Sequence, residues 1–181
     1  MLTHSYQAQA PIDLQVDERP QGYSLVLLKS RGEGPFLVQQ REKGPDVDYE
    51  GRIGLFGGRI ESNETPEGCA LREVLEETGL KLEMGDLTML ARIESETDAG
   101  VRNFGHLYVA ENLDIKELRR LKIKEGKGLF LKRRELGRRH EAMTAITLFA
   151  VSAYDDLVKA RGDEDTPLKA RFGDLFGFGR R

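Results

Sequence analysis

The sequence has little of several residue types, and each shortage excludes a class of protein. Its 181 residues include no tryptophan and a single cysteine, Cys69. One cysteine cannot form an internal disulfide or a cysteine-rich zinc site. No apolar run is long enough to span a bilayer, and the first twenty residues lack the basic start and apolar stretch of a secretory signal. We therefore expect a cytoplasmic protein with no membrane contact.

Charged residues are abundant, but neither sign dominates. The 28 lysines and arginines face 31 aspartates and glutamates, which leaves a net charge of −3. Because no broad positive field results, a nucleic-acid partner is not expected. The length suits one domain, 1–181, with a sizeable core. Residues 1–20 are predicted to be an arm and 162–181 a tail, whose three phenylalanines would dock on the domain or on a second subunit of a homodimer.

Apolar segments separated by turns predict strands and helices in alternation. The predicted strands are 23–30 and 35–41, joined by a glycine turn, then 52–56, 87–93, 104–110 and a last one from 127. Helices are predicted at 65–79, shortly after Asn112 as the cap, and over 142–159. This order predicts an α/β protein in which a mixed sheet lies between helices.

The helix over 65–79 carries the strongest chemical signal. Thr65 is a good N-cap, Pro66 suits the first helical turn and Gly79 suits the end. Three glutamates within it are spaced three and four residues apart, so they share one helix face and repel each other. They are Glu73, Glu76 and Glu77. Clustered carboxylates suit a hard cation such as Mg²⁺ or Mn²⁺, although a solvated acidic face is the common alternative.

The longer segment 58–80 resembles the Nudix box, whose fixed positions are all matched. These positions hold Gly58, Glu64, Arg72, Glu73, Val74, Glu76, Glu77, Gly79 and Leu80. The chain is thereby identified as a member of the Nudix hydrolase family. Many members have a proline before the paired glycines and a tryptophan a few residues earlier, where this chain has Phe56 and Ile53. We expect Phe56 to pack under the turn.

The resemblance implies the Nudix fold and a pyrophosphohydrolase that uses Mg²⁺ or Mn²⁺. Its substrate would be a small molecule in which a nucleoside diphosphate is linked to another group, such as ADP-ribose, a nucleotide sugar or a nucleoside triphosphate. One alternative is a Nudix-fold module that binds a nucleotide without cleaving it, against which the intact glutamate set argues. An isoprenoid-diphosphate isomerase is less consistent, because that group depends on a cysteine outside the helix, whereas Cys69 lies within the box.

The resemblance also implies roles for individual residues. Glu73 and Glu77 are expected as direct metal ligands, Glu76 as the third, and Glu64 as an outer ligand or an acceptor behind the ligands. A carbonyl of Gly57 or Gly58 completes the shell in the family. Arg72 is expected to pair with Glu64 or to orient Glu73, rather than to touch substrate.

The general base and the substrate contacts stay open at this level. The base is either Glu73 or a glutamate outside the helix, for which the candidates are Glu94, Glu96 and Glu125. Candidate substrate contacts are Arg41 for a phosphate and Phe104, Arg102 and Tyr108 for a base or ribose, with ordinary core or surface roles as the alternative. His106, His140 and Cys69 are more often structural than catalytic in such settings.

Overall fold

The computed structural model describes residues 21–43, 49–96 and 102–162. The predicted arm and nearly all of the predicted tail therefore lie outside the described residues. The strands are β1 (Gln21–Ser30), β2 (Phe36–Gln40), β3 (Ile53–Gly54), β4 (Phe56–Arg59), β5 (Leu87–Glu96), β6 (Arg102–Leu113) and β7 (Lys127–Leu131). The α-helices are α1 (Pro66–Thr78), α2 (Ile115–Leu118), α3 (Arg133–Arg138) and α4 (Ala145–Gly162), with short 3₁₀ turns at Met84–Asp86 and His140–Ala142.

The strands form one mixed sheet centred on β1. Its main order is β3-β2-β1-β6-β5, with β4 also paired to β1 and β7 to β2. The β1–β6 pair is parallel, whereas the other strand pairs are antiparallel. Strand β1 thus has β6 along one edge, and along the other it has β4 for its first half and β2 for its second half. This arrangement brings the glycines of β4 next to the middle of the sheet.

Helices cover both faces of the sheet, which gives the predicted α/β/α arrangement. On one face, α1 buries Ala70 and Val74 against Val26 and Phe56 of the strands. On the other, α4 buries Phe149 against β-strand side chains that include Leu27 and Val109. Alternate residues of β1 and β6 enter opposite cores, as the two-residue repeat of a strand requires.

Helix α1 begins and ends at the predicted residues. Thr65 is the N-cap, and its hydroxyl accepts a hydrogen bond from the Gly68 amide at 3.0 Å. Pro66 opens the helix, and Gly79 ends it with φ of 75°, a left-handed conformation that glycine adopts without a steric penalty. Phe56 has no exposed surface and lies in the core beneath this helix, in agreement with the expectation from the sequence.

Four local predictions were wrong in detail. The predicted strand 52–56 is interrupted at Leu55, so β3 and β4 are separate. Asn112 does not cap α2: it lies in β6 with φ of 61°, while the Asp114 carboxylate accepts from the Lys116 amide at 2.7 Å. The predicted turn after β7 is the helix α3, and α4 begins three residues later than predicted. No helix among 21–43, 49–96 and 102–162 is long and apolar enough to cross a membrane.

Candidate active site

Glu77 is a carboxylate buried where helix α1 meets the glycines of β4. The residue is 6% exposed. One carboxylate oxygen accepts from the Gly57 amide at 2.8 Å and the other from the Gln39 side-chain amide at 3.3 Å. Burial raises its pKa to about 7; the charges of Glu125 and Glu73 act in the same direction, and the Gly57 hydrogen bond opposes them. Both hydrogen-bond donors are neutral, so they leave the charge of Glu77 uncompensated.

Glu73 lies one helical turn before Glu77 and rests directly on Gly58. A Cβ atom built at Gly58 would overlap the Glu73 carboxylate. Burial raises the pKa of Glu73, while Arg72 lowers it. At Gly57, where φ is 136°, a Cβ would overlap the backbone of Ser24. Gly57 is therefore required by the close approach of the β1 backbone, whereas a side chain at Gly58 would displace the Glu73 carboxylate.

Arg72 holds the glutamates of this segment in a fixed arrangement. Its guanidinium donates two hydrogen bonds to Glu64, at 2.9 and 3.0 Å, and one to Glu73 at 2.8 Å. It also contacts Glu76 at 3.2 Å and the Arg59 carbonyl at 3.1 Å. The hydrogen bond from Arg72 lowers the pKa of Glu64, and the same contact is the largest cause that raises the pKa of Arg72. Arg72 thus contacts both Glu64 and Glu73, the two partners that were expected as alternatives.

The three box glutamates do not converge on one point in the described chain. No group of three or more His, Cys, Asp or Glu side chains within 21–43, 49–96 and 102–162 is spaced to hold a metal ion. Glu76 is the outlying member, with its side chain 59% exposed. Each of the other two has a different partner, Arg72 for Glu73 and the Gly57 amide for Glu77, both at 2.8 Å.

The donor set nevertheless fits a hard divalent cation. Glu73 and Glu77 supply carboxylate oxygens close to the glycine turn, and burial makes the charged form of each unfavourable. A divalent ion would remove that penalty, which a solvated acidic face would not have. The Gly58 carbonyl is approached by the Cys69 thiol at 3.6 Å, and Gly57 contacts Glu77 through its amide. The metal roles of both carbonyls, and of Glu64 and Glu76, stay predictions.

Cys69 lies within the box, and its side chain is buried. It has no exposed surface, and its sulfur lies 3.4 Å from the Arg59 carbonyl. Burial raises its pKa to about 11, so the thiol is protonated at neutral pH and is a poor nucleophile.

The structure distinguishes the three glutamates proposed as bases outside the helix. Glu125 lies close enough to Glu73 and Glu77 for its charge to raise the pKa of both. Glu94 lies on β5, where it is 62% exposed and pairs with Arg92 at 3.3 Å. The side chain of Glu96 lies outside the described residues. Of Glu94 and Glu125, whose side chains the structure describes, Glu125 is therefore the one that lies near the box.

The residues predicted to contact the substrate lie on different elements of the fold. Arg41 follows β2, and its backbone amide donates to Arg52 at 2.9 Å. Phe104 lies in β6 under the guanidinium of Arg92, 5.2 Å from the ring centre. The side chain of Arg102 lies outside the described residues. None of these positions by itself defines where a substrate binds, so their roles stay predictions.

Of the remaining polar candidates, Tyr108 and His140 have hydrogen-bond partners, whereas a buried nitrogen of His106 has none among the described residues. Tyr108 is buried in β6 and donates to Glu67 at 2.8 Å; burial raises the pKa of its hydroxyl, and the hydrogen bond to Glu67 adds to the rise. His140 is exposed and contacts the Gly137 carbonyl at 3.1 Å. The buried Nδ1 of His106 has no hydrogen-bond partner within the described chain.

Sequence reasoning missed Gln39, which contacts the site from β2. Gln39 is 2% exposed and lies in a strand whose preceding three residues are all buried. Its side chain points to the helix α1 face, because Leu37, two residues earlier, packs in that core. A glutamine continuing a buried apolar strand was the available signal, since a buried amide requires a partner.

Comparison with solved structures supports the fold. The MutT protein of Methanosarcina mazei Go1 superimposes with a TM-score of 0.61 at 17% identity, covering 80% of this chain and 99% of that one. The NUDIX domain of Shewanella oneidensis NrtR, complexed with ADP ribose, gives 0.60 at 16% identity, with 82% and 94% covered. The E. coli dihydroneopterin triphosphate pyrophosphohydrolase gives 0.55 at 18%, with 75% and 97% covered. The described architecture is therefore the Nudix fold.

The family follows from the sequence itself. The family model of the NUDIX domain matches residues 18–144, more than two thirds of the chain, and includes the box and the flanking strands. The chain therefore belongs to the Nudix hydrolase family. This confirms the predicted family and the predicted enzyme class, a Nudix pyrophosphohydrolase.

Proposed function

We propose that this Nudix hydrolase cleaves the pyrophosphate bond of a nucleoside diphosphate linked to another group, with Mg²⁺ or Mn²⁺ as cofactor. The observation that carries the proposal is the pair of the half-buried Glu73 and the buried Glu77 at the glycine turn, with the charge of Glu125 beside it. Such a cluster is costly unless a cation compensates it. A nucleotide-binding module without hydrolysis has no need of this arrangement.

Glu73 and Glu77 would hold the cation directly, with Glu76 as the third carboxylate. Glu64 would be an outer ligand or would accept hydrogen bonds from Arg72 behind the direct ligands. A carbonyl of Gly57 or Gly58 would complete the coordination shell of the metal ion. The bound cation would neutralise phosphate charge and lower the pKa of a bound water. Deprotonation of that water would need a nearby group to accept the proton.

Glu73 and Glu125 are the first candidates to accept that proton, and Glu94 and Glu96 remain the alternatives from the sequence. Glu73 already lies at the turn with a raised pKa, and Glu125 approaches from the segment before β7. Arg72 orients Glu73 through the 2.8 Å contact, so it acts on geometry rather than on substrate. Arg41, Phe104 and Arg102 are proposed as contacts for the phosphate and the nucleoside.

The substrate class is proposed as a small molecule, in a cytoplasmic protein without nucleic-acid partners. One similar domain holds ADP ribose, and another similar protein acts on dihydroneopterin triphosphate. Both compounds carry phosphoanhydride bonds, so they belong in the first test panel together with nucleotide sugars and nucleoside triphosphates.

The decisive experiment is hydrolysis of this panel with Mg²⁺ in ¹⁸O-labelled water. We expect release of a mononucleotide or phosphate from at least one compound, with the label on phosphorus. Glu77→Gln keeps the side-chain shape, removes one charge and should lower kcat by orders of magnitude. Label on carbon would reject the mechanism, and binding without release from any compound would favour the non-catalytic module.

Metal binding gives an independent readout. A ligand that binds only the folded state stabilises it by ~2.7 kcal/mol at a hundred times its dissociation constant. The melting temperature of the wild type should therefore rise with Mg²⁺ or Mn²⁺, and Glu77→Gln should reduce that rise. An equal rise in both proteins would mean that Glu77 is not a ligand of the metal ion.

A further inference from the structure

Gln39 connects two segments of the site that are far apart in sequence. Its side-chain nitrogen lies 3.3 Å from a carboxylate oxygen of Glu77 and 3.0 Å from the backbone carbonyl of Glu125. The amide has two N–H groups, so each acceptor can receive one. Gln39 is 2% exposed and belongs to β2, which pairs with β1, β3 and β7. The donor therefore lies in a buried strand that is hydrogen-bonded to neighbouring strands.

The segment before β7 is also attached to helix α1 and to β2. The Lys124 amide donates to the backbone carbonyl of Glu77 at 2.8 Å. Gly126 adopts φ of 64°, and a Cβ there would overlap the backbone of Gln40. Glu125 is thus held between two neighbours with fixed backbones, and its charge reaches both Glu73 and Glu77.

We propose that Gln39 is a positioning residue that fixes the Glu77 carboxylate and the Glu125 segment relative to each other. The catalytic part of this inference rests on the proposed function, since it concerns the same carboxylates. Because the amide group is planar, its two N–H directions are set by one side-chain conformation. Movement of either acceptor then breaks a hydrogen bond of a buried donor. Gln39 acts through Glu77 and Glu125 and is not itself expected to touch metal or substrate.

A matched pair of strand variants tests this inference. Gln39→Met keeps the side-chain length but removes both donors. Gln39→Asn keeps the amide on a shorter stem that cannot reach both acceptors, and it serves if Gln39→Met does not fold. The control is Gln40→Leu, because Gln40 is the next residue of β2 and its side chain donates to the Gly51 carbonyl at 3.4 Å rather than to Glu77 or Glu125.

The first readout needs neither metal nor substrate. Amide exchange measured by NMR on the metal-free protein should accelerate at Gly57 and at Lys124 in Gln39→Met, since both amides donate to Glu77. The same two amides should keep wild-type rates in Gln40→Leu. This readout still applies if wild type proves to bind no Mn²⁺ and to cleave nothing, an outcome that would reject the proposed function separately.

The second readout has two parts. The first is Mn²⁺ affinity, measured by the EPR signal of free Mn²⁺. The second is a separate determination of kcat and KM for the compound of the panel that is hydrolysed fastest. Loss of a residue that orients a metal ligand typically costs ~10–100-fold in metal affinity or activity. We expect a loss of that size in Mn²⁺ affinity and kcat for both Gln39 variants, with KM nearly unchanged. Wild-type exchange and wild-type Mn²⁺ affinity in the Gln39 variants, or equal losses in Gln40→Leu, would overturn the proposal.

Discussion

At the scale of single residues, the site depends on how strongly carboxylates are buried. Glu77 is 6% exposed, whereas the Glu76 side chain next to it in sequence is 59% exposed. The sequence predicts both on one acidic helix face. In the fold the Glu77 carboxylate accepts from the Gly57 amide, whereas the Glu76 side chain is largely exposed to solvent. Burial raises the pKa of both Glu77 and Glu73, and the proposed metal site would depend mainly on the same two residues.

The first prediction is that the metal-free protein loses stability as pH rises through the acid range. In the folded state the pKa of Glu77 is about 7, against 4.5 when unperturbed. The folded state therefore binds the proton more tightly, and the contribution of Glu77 is complete below about pH 4.5 and lost as pH rises to about 7. The loss is on the order of 3 kcal/mol. Urea unfolding in a chelator at several pH values measures it.

Glu77→Gln provides the control, because glutamine does not titrate. Its unfolding free energy should vary less with pH than that of wild type between about 4.5 and 7. Glu64 has a lowered pKa, so its contribution is lost as pH falls and lies outside this window. Parallel pH curves for the two proteins would show that Glu77 is not the titrating group.

The second prediction concerns Gly58 as the support of a carboxylate. In Gly58→Ala the added methyl group would overlap the Glu73 carboxylate, which must then leave the turn. We expect a loss of ~10–100-fold in Mn²⁺ affinity or activity, as for other changes that displace a metal ligand.

The control for this prediction is Gly85→Ala, since an added Cβ at Gly85 meets no atom within 4 Å. It should retain wild-type Mn²⁺ affinity in an EPR titration. Wild-type affinity in Gly58→Ala would place the Glu73 carboxylate elsewhere in the metal-bound protein.

At the scale of elements, helix α1 is fixed by local signals that the sequence states directly. The third prediction is that Thr65→Ala lowers the free energy of unfolding by about 1 kcal/mol, because the Gly68 amide loses the hydroxyl that caps it. Thr65→Ser retains the cap and should remain near wild type. Urea unfolding with unchanged m-values measures the difference, and equal stability of both variants would contradict a capping role.

At the scale of the whole molecule, the prediction for the tail remains open. Its phenylalanines, at positions 172, 176 and 178, lie outside the described residues, and aromatic rings are costly to leave in water. The described chain leaves several large apolar side chains exposed, namely Leu75, Met84, Met89 and Val158. The phenylalanine rings of the tail, from the same chain or from a second subunit, would be buried by packing on these side chains.

The fourth prediction is that truncation after Gly162 lowers the melting temperature or changes the oligomeric state. Burial of a phenylalanine side chain contributes ~1.5–3 kcal/mol, so loss of even one docked ring is measurable. Thermal melting and light scattering report the two effects. Replacement of the three phenylalanines by serine in the full chain should reproduce the result, and no change in either measurement would make the tail a free end.

The sequence by itself determined the family, the α/β class and the limits of helix α1. These features depend on residues adjacent in sequence: the spacing of Gly58 to Leu80, the cap at Thr65 and the stop at Gly79. The wrong prediction for the N-cap of α2 also has a local cause, since Asn112 and Asp114 are both residue types that favour this position. Only the length of β6, which includes Asn112, decides between them.

Only the tertiary structure decided which carboxylates act together. Gln39, Gly57 and Glu125 come from three separate segments and meet at Glu77 because β2, β4 and the segment before β7 surround the end of one helix. The raised pKa of Glu77 arises from that burial and from the charges of Glu125 and Glu73. No spacing within the sequence encodes it, because desolvation depends on what the folded chain places around a group.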